Sequence, residues 1–403
     1  MILSGNALAE RFQALDAFLG QHQDIWRPRP FTLLELPWET RHPILANWLR
    51  ARSLEQAENQ HNHPEQLSEA PPPYPELAAQ ARQLISLGQF PSHALGDTPH
   101  SLFVDVPGRK RQQIEAFASC LPFRTQPTHW LDWCSGKGHL GRLLAWPAQQ
   151  LTCLESDPAL VASGAQLSQR LHLQATHRQQ DVLANDSAAA LHSDHTPVAL
   201  HACGDLHVRL LQLASAAGCP RLAVAPCCYN RISTAYYQPL SRPAQQSTLQ
   251  LSLDDLRLPL SETVTASTRT RRQRDQSMAW RLAFDLLQRE LRNSTEYLST
   301  PSRPADWLHK PFADYCRDLA ALKQLPPPPP RNWSALEQQG WQRLAVVRNL
   351  ELPRALFRRP LELWLLLDRA LYLQEQGYQV QLGLFCASQL TPRNLLLLAE
   401  RPA

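Results

Sequence analysis

The sequence predicts an α/β fold in which a mostly parallel sheet ends in an antiparallel hairpin. From about residue 130 to residue 230, short apolar runs alternate with stretches of helical periodicity, and this alternation is typical of β-α-β units. Near the end of the chain, only seven residues separate two apolar strands, between Cys386 and Asn394. Because a parallel crossover needs a longer connection, these two strands are expected to pair antiparallel.

A helical accessory region is predicted over residues 1–100. The proline-rich residues 71–75 interrupt it, and helical periodicity resumes between Leu77 and Leu87. The apolar residues of its first helix recur at helical spacing: Leu8, Phe12, Leu15, Phe18 and Leu19.

The sheet-forming domain is predicted to combine residues 101–230 with residues 356–403. A helix over Arg111–Ser119 precedes its first strand, and each strand is identified from a short apolar or alternating run. The predicted strands lie at residues 130–133, 151–154, 198–202, 222–225, 378–384 and 395–398.

Residues 231–355 interrupt this alternation and are predicted to form an insertion. One amphipathic helix in it is marked by Met278, Leu282 and Leu286. The five consecutive prolines Pro326–Pro330 cannot be helical, so they are expected to form a stiff spacer.

Composition predicts a cytoplasmic protein with reduced thiols. Of the 403 residues 43% are hydrophobic, which permits a sizeable core, and the nine cysteines show no framework spacing. The first residues lack a basic segment followed by an apolar one, and no long apolar run occurs, so no membrane partner is expected. The net charge of +4 permits a nucleic-acid partner, and no obligate protein partner is indicated.

A glycine-rich turn, Gly136–Gly141, satisfies the pattern G-x-G-x-x-G between a predicted strand and a predicted helix. Glu155 follows Gly136 by 19 positions, at the end of the next predicted strand. This spacing is typical of sites for a nicotinamide or flavin dinucleotide, so a dehydrogenase is one alternative.

Asp132 favours a different ligand. It ends the first strand of the domain, four positions before Gly136, where a carboxylate would repel the pyrophosphate of a dinucleotide. S-adenosylmethionine instead brings an ammonium group and a sulfonium, and a carboxylate attracts both. Glu155 would then accept hydrogen bonds from the ribose hydroxyls, and Asp181 from the adenine amino group. The residues predicted to bind this cofactor are Asp132, Cys134, Ser135, Gly136, Lys137, Gly138, His139, Leu140, Glu155, Asp181 and His201.

The sequence resembles the methyltransferase-like family that includes proteins labelled "ribosomal RNA adenine dimethylase domain-containing". More distantly, it is similar to the tRNA acceptor-stem ribose 2'-O-methyltransferases. The matching segments are residues 132–140, 200–206, 226–229, 367–372 and 391–394. The resemblance implies a Rossmann-like class I methyltransferase fold with a seven-stranded sheet, S-adenosylmethionine as cofactor and RNA as acceptor. The tRNA enzymes carry extra zinc modules and a richer cluster after the fifth strand than Cys227–Asn230, which argues against ribose methylation of tRNA.

The residues after the fourth and fifth strands are predicted to face the methyl acceptor, because these strands are neighbours in such a sheet. His201 or Asp205 is the candidate base for the proton that the acceptor loses. Tyr229 is a candidate to stack on or hydrogen-bond a flat acceptor, and Asn230 is a candidate to orient its amino or hydroxyl group.

A zinc site is a less favoured alternative at the same place. His201, Cys203 and the Cys227–Cys228 pair supply one imidazole and three thiols, which is a sufficient zinc ligand set. Adjacent cysteines in a strand point to opposite faces, however, so no metal is predicted.

Three basic groups lie outside the predicted strands and would contact phosphates of a polyanion. They are Arg109, Lys110 and Arg111; Arg269, Arg271, Arg272 and Arg274; and Arg354, Arg358 and Arg359. The sequence therefore predicts an S-adenosylmethionine-dependent methyltransferase acting on RNA, either rRNA or tRNA. The alternatives are a methyltransferase of proteins or small molecules and a non-catalytic binding module, which Cys134 favours because most such loops carry glycine there.

Overall fold

The structure is a computed structural model that describes residues 1–121, 123–261 and 268–402. Residues 262–267 of the predicted insertion, together with Pro122 and Ala403, lie outside the described residues. The chain divides into two compact units. The sheet unit consists of Met1–Gly20, Leu84–Leu260 and Arg359–Ala403, and the helical unit consists of Gln21–Gln83 and Ser261–Arg358.

The strands and helices follow one another along the chain, and the α/β alternation is concentrated between residues 129 and 225. The strands are β1 Leu3–Ser4, β2 His129–Trp133, β3 Gln150–Glu155, β4 Ala175–Gln179, β5 His195–Leu200, β6 Arg221–Ala225, β7 Gln379–Leu384 and β8 Leu395–Glu400. The helices are α1 Asn6–Gln21, α2 Gln23–Trp26, α3 Pro43–Arg50, α4 Leu54–Gln60, α5 Tyr74–Ile85, α6 Gly108–Ser119, α7 His139–Ala145, α8 Pro158–Arg170, α9 Asp205–Ala216, α10 Arg242–Gln245, α11 Thr268–Arg292, α12 Phe312–Leu322, α13 Trp333–Ala355 and α14 Arg358–Glu375.

The eight strands of the described residues belong to one sheet, in the order β1-β7-β8-β6-β5-β2-β3-β4. The strands β2 to β6 run parallel to one another, whereas β8 is antiparallel to both β6 and β7. This topology confirms the predicted Rossmann-like fold with its antiparallel hairpin. The predicted number of seven strands was one too few, because Leu3–Ser4 adds an eighth strand antiparallel to β7.

Burial explains the pattern of each strand. Val198 in β5 and Ala223 in β6 are completely buried, as expected of central parallel strands covered on both faces. In β7, buried Val380 and Leu382 alternate with exposed Gln379 and Gln381, which is typical of a strand with one solvated face.

A single apolar core joins the helices α6 and α7 to the sheet. Phe117 of α6 and Leu140 and Leu143 of α7 pack with Trp130 of β2 and Val198 of β5. This packing fixes α7, and with it the glycine-rich turn that precedes α7, against the carboxyl end of β2.

The unit boundaries differ from the predicted domain boundaries at the start of the chain and after residue 230. Residues 1–20 belong to the sheet unit, since Leu3 is paired with Leu382. Residues 231–260 belong there too, and Tyr237 in this segment donates a hydrogen bond to the buried Asp368 of α14. A two-residue strand and a buried loop have no periodicity from which to predict these contacts.

The helical unit has its own core around α11, α12 and α13. Trp280 and Phe284 of α11 pack against Tyr315 of α12 and Leu336 of α13. The proline tract Pro326–Pro330 lies outside helix between α12 and α13, as the sequence predicts.

Among the described residues, no helix combines the length and the apolar character that crossing a membrane requires.

Candidate active site

Three loops meet at the carboxyl edge of the sheet. Asp132 of β2 is paired with Val198 of β5, and Leu200 of β5 is paired with Ala225 of β6, so these strands end side by side. The segments that follow them, residues 134–138, 201–205 and 226–231, are therefore neighbours. In open α/β sheets this edge is where ligands bind.

The glycine-rich turn leaves open space for a ligand. A Cβ at Gly136 would meet nothing within 4 Å, whereas a Cβ at Gly138 would lie 2.9 Å from both Cys153 and His177. Cys134 adopts a φ of 55°, a conformation that favours glycine and costs a cysteine about 1 kcal/mol. The turn therefore forms even though residue 134 is a cysteine rather than a glycine.

Asp132 lies directly under this turn. Its side chain is almost fully buried, and its Oδ2 accepts a hydrogen bond from the backbone N–H of Gly141 at 2.9 Å. Burial raises the pKa of this carboxyl to about 6. The raised pKa indicates that the surrounding protein stabilises the ionised carboxylate only in part. A cationic ligand nearby would therefore stabilise the carboxylate further.

Two further acids continue the line across the sheet. Glu155, at the end of β3, accepts hydrogen bonds at 2.9 Å from the backbone N–H groups of Gly136 and Ser156. Asp181 is exposed in the turn after β4, where it accepts from the backbone N–H of Leu183 at 3.0 Å. The predicted ribose acceptor thus lies at the end of β3, which neighbours β2, and the predicted adenine acceptor lies after β4, which neighbours β3.

The remaining residues of the predicted cofactor loop support its shape. His139 and Leu140 are buried in the first turn of α7, and Arg142 lies 2.7 Å from His139 Nδ1. Burial and then Arg142 lower the pKa of His139 to about 4, so this imidazole is neutral. Ser135 donates its backbone N–H to Leu154, and Lys137 lies 3.7 Å from the carboxylate of Asp105.

On the other side of the edge, His201 is held in one tautomer. Gln113 of α6 donates from its amide nitrogen to the carbonyl of Leu390 at 3.2 Å, so its Oε1 faces His201 Nε2 at 2.9 Å. His201 Nε2 must therefore carry the hydrogen. Its Nδ1 is buried, and no residue that the structure describes bonds it. Burial, reinforced by Lys110, lowers the pKa of His201, which leaves Nδ1 as a free acceptor in a neutral ring.

Asp205 has a structural partner. Its Oδ2 accepts a hydrogen bond from the backbone N–H of Ser233 at 2.7 Å, and its own backbone N–H donates to Arg231 at 2.9 Å. These bonds tie the start of α9 to the loop after β6. The geometry favours His201 over Asp205 as the proton acceptor.

The prediction that Tyr229 stacks on an acceptor was wrong. Its side chain is completely buried, with the guanidinium of Arg369 5.1 Å from the ring centre and His207 packed edge-on at 5.8 Å. Neither face is therefore available to a ligand. The Tyr229 hydroxyl and Asn230 Oδ1 are nevertheless buried without a hydrogen-bond partner among the described residues.

Cys203, Cys227 and Cys228 form a cluster whose three sulfur atoms lie within 4.8 Å of one another. The Sγ atoms of Cys203 and Cys227 are 2.9 Å apart. The expectation that adjacent cysteines point to opposite faces does not apply, because β6 ends at Ala225 and both cysteines lie in irregular backbone. Hydrogen bonding to Cys203 and Cys227 lowers the pKa of the Cys228 thiol.

Cations surround this side of the edge. Lys110 and Arg231 are exposed and Arg393 is half-buried, and none of them forms an ion pair within the described ranges. Arg393 and Arg231 also lower the pKa of Cys228, although less than its sulfur neighbours do. Sequence reasoning did not identify Arg231, Arg393 or Gln113 as site residues. Of these three, only Arg393 could have been found from the sequence, because it belongs to the segment 391–394 that matches the resembled family.

One of the predicted basic surfaces does not exist. Arg354 and Arg358 are buried in the helical unit, where they donate to the carbonyls of Trp26 and His61, and Arg359 donates to Glu362 in the sheet unit. Burial of a cation requires such partners, and sequence cannot distinguish a partnered arginine from an exposed one. The arginines exposed at the start of α11 are Arg269, Arg271 and Arg272.

The residues present fit S-adenosylmethionine. The space over Gly136 accommodates a ligand, and the buried carboxylate of Asp132 favours a cation. Glu155 and Asp181 supply acceptors for hydroxyl and amino groups on the β3 and β4 side.

A match to a family model agrees with this geometry. Residues 109–235 match the family model described as a methyltransferase domain, a span that contains the glycine-rich turn, His201 and the cysteine cluster. A solved structure, the plantazolicin methyltransferase BpumL in complex with SAH, aligns at 11% identity over 86% of this chain and 98% of that chain, with a TM-score of 0.25. At so low a TM-score, the fold assignment rests on the sheet topology and the family model. The chain therefore carries a methyltransferase domain, its cofactor is S-adenosylmethionine, and it is an S-adenosylmethionine-dependent methyltransferase.

Proposed function

We propose that this methyltransferase acts on RNA. The supporting observation is the division of charge along the carboxyl edge of the sheet. Acids lie at the ends of β2, β3 and β4, whereas Arg231 and Arg393 lie on the opposite side beside the cysteine cluster. Lys110 lies between the two sides, where its charge acts on both Asp132 and His201. A cationic cofactor fits the acidic side, and a phosphate-rich acceptor fits the basic side.

Methyl transfer needs an aligned acceptor and a place for its proton. S-adenosylmethionine supplies an electrophilic methyl group on its sulfonium. In the proposal, the Nδ1 lone pair of His201 takes the proton from the attacking nitrogen or oxygen, while Gln113 keeps the ring in this tautomer. Asn230 Oδ1, which is buried and has no partner in the described part of the chain, accepts a hydrogen bond from the same group.

The helical unit offers a second surface for phosphates. Arg269, Arg271 and Arg272 are exposed in the first two turns of α11 and form no ion pair within the described residues. Phosphate contacts of this kind strengthen RNA binding regardless of the base sequence of the RNA.

The deciding experiment is transfer of a labelled methyl group from S-adenosylmethionine into total RNA and total protein extracts. We expect the label to appear in RNA. Ribonuclease treatment should remove it, and protease treatment should not. Label confined to protein, or label in neither extract, would contradict the proposal.

Salt dependence adds a matched test at one residue. Arg231→Ala should reduce the slope of log affinity against log salt by about one and weaken binding of different RNAs equally. Arg257→Ala is the control, because Arg257 is also exposed in the sheet unit but is paired with Asp254 at 2.9 Å. Equal slopes for the two variants would show that Arg231 contacts no phosphate.

A further inference from the structure

We propose that Cys203, Cys227 and Cys228 bind a zinc ion and leave its fourth coordination position open. The three sulfur atoms already lie within 4.8 Å of one another. With a Zn–S distance of about 2.3 Å, tetrahedral thiolates stand about 3.8 Å apart, so only small side-chain movements separate this cluster from a zinc site. This inference does not depend on the identity of the methyl acceptor.

The fold holds the ligand-bearing loops in place before any metal binds. The backbone N–H of Gly204 donates to the carbonyl of Cys228 at 2.7 Å, and that of His201 donates to Ala225 at 2.9 Å. These bonds join the loop after β5 to the loop after β6 on both sides of the cluster. A preformed set of ligands lowers the conformational cost of binding.

Hydrogen bonding alone explains the cluster poorly. The Sγ atom of Cys227 lies 3.2 Å from the carbonyl oxygen of His201 and 2.9 Å from Cys203 Sγ, so two sulfur atoms and an oxygen crowd one small volume. A shared cation would hold all three sulfurs at once. The charges of Arg231 and Arg393 act on Cys228, and they would compensate the net negative charge of three thiolates around a divalent ion.

The ligand set selects the metal. Thiolates are soft ligands that favour zinc and disfavour magnesium or calcium, which prefer oxygen. No fourth His, Cys, Asp or Glu atom in the described ranges completes the cluster. Three protein ligands with one position left for water or another molecule is the arrangement of catalytic rather than structural zinc sites.

The test is metal binding by the full-length protein. After chelation and reloading with zinc, we expect one equivalent per chain by elemental analysis. Titration with cobalt(II) should give thiolate charge-transfer bands and the visible bands of tetrahedral cobalt. Cys228→Ser should lose the charge-transfer intensity of one sulfur, while Cys316→Ala should bind normally, because Cys316 is buried in the core of the helical unit.

Thiol counting keeps the proposal falsifiable if a variant fails to fold. In the unaltered protein, zinc should protect three cysteines from alkylation, and mass spectrometry should map them to this cluster. Fully reduced protein that binds neither zinc nor cobalt would overturn the proposal. So would a Cys203–Cys227 disulfide in freshly purified protein that persists when zinc is supplied under reducing conditions.

Discussion

Gln113 determines which nitrogen of His201 is available to a ligand. Its amide is oriented by the carbonyl of Leu390, so the oxygen that faces His201 accepts the Nε2 hydrogen. The opposite nitrogen, Nδ1, stays unprotonated and has no partner among the described residues. Gln113 is thus a positioning residue that acts through His201.

Gln113→Leu should lower kcat for methyl transfer by roughly tenfold or more, part of the 10²–10⁴ that a positioned base contributes. The KM for S-adenosylmethionine should not change, because the cofactor loop lies on the other side of the edge. Steady-state kinetics measures both quantities. Gln112→Leu is the control on the exposed face of α6, and equal losses in both variants would contradict this role for Gln113.

Asp132 links cofactor binding to pH. Its raised pKa, about 6, means that the empty site favours the protonated carboxyl below that pH. A cationic cofactor favours the ionised form, so binding must release a proton when the carboxyl is protonated.

The affinity for S-adenosylmethionine should therefore fall as the pH drops below about 6, by about tenfold between pH 7 and pH 5. Calorimetry at several pH values, with parallel proton-release measurements, checks this. Asp132→Asn should bind more weakly at pH 7 and lose most of the pH dependence. An unchanged affinity at pH 5 in the unaltered protein would show that Asp132 does not bind the cofactor.

At the scale of elements, two loops act as one unit because their backbones touch. Gly204 adopts a φ of 54°, and a Cβ there would lie 1.9 Å from the carbonyl oxygen of Arg231. The loop after β5 can only approach the loop after β6 this closely if residue 204 lacks a side chain.

Gly204→Ala should destabilise the protein by about 3 kcal/mol or more, since backbone atoms must move apart. Gly218→Ala is the matched control: its φ is also positive, at 73°, but its Cβ would meet nothing within 4 Å, so about 1 kcal/mol is expected. Chemical denaturation measures both free energies of unfolding. Equal losses of unfolding free energy in the two variants would show that the close approach at Gly204 does not add to the cost of the substitution.

Sequence predicted the elements better than it predicted their contacts. The alternation of apolar runs located β2, β3, β5, β6 and the β7–β8 hairpin, because burial on a sheet determines that pattern. It missed the two-residue strand β1, which is too short for any period.

Contacts depend on the three-dimensional path of the loops. The sequence indicated His201 and Asp205 equally. The structure distinguishes them, because Asp205 accepts a hydrogen bond from Ser233, whereas Gln113 fixes the His201 tautomer and Nδ1 has no partner among the described residues. Tyr229 looked like an exposed aromatic residue at a strand end, but Arg369 from a distant helix covers it. Such cases depend on residues far apart in the chain.

At the scale of the whole molecule, buried and half-buried histidines contribute to the response to acid. Burial lowers the pKa values of His139, His177 and His195 to about 4, with further lowering by Arg142 at the first two and by His129 at the third. The unfolded chain binds these protons near pH 6.5 and the folded chain does not. Their contribution to stability is therefore fully present above that pH and is lost as the pH falls towards 4.

We expect the free energy of unfolding to decrease between pH 7 and pH 5, as measured by denaturant titration. Asp132 opposes this trend, because a raised carboxyl pKa favours the folded state as the pH falls from 6 to 4. It is a single group, however, and the pKa values of His61, His201 and His207 are lowered as well. A protein that becomes more stable at pH 5 would contradict the burial of these histidines.

We expect the carboxyl edge of the sheet to accept a cationic methyl donor and not a dinucleotide. Calorimetric titration of the same protein preparation with S-adenosylmethionine and with NAD at pH 7.5 tests it most directly. We predict one molecule of S-adenosylmethionine bound per chain and no heat from NAD beyond dilution. Saturable NAD binding without S-adenosylmethionine binding would show that this edge is a dinucleotide site.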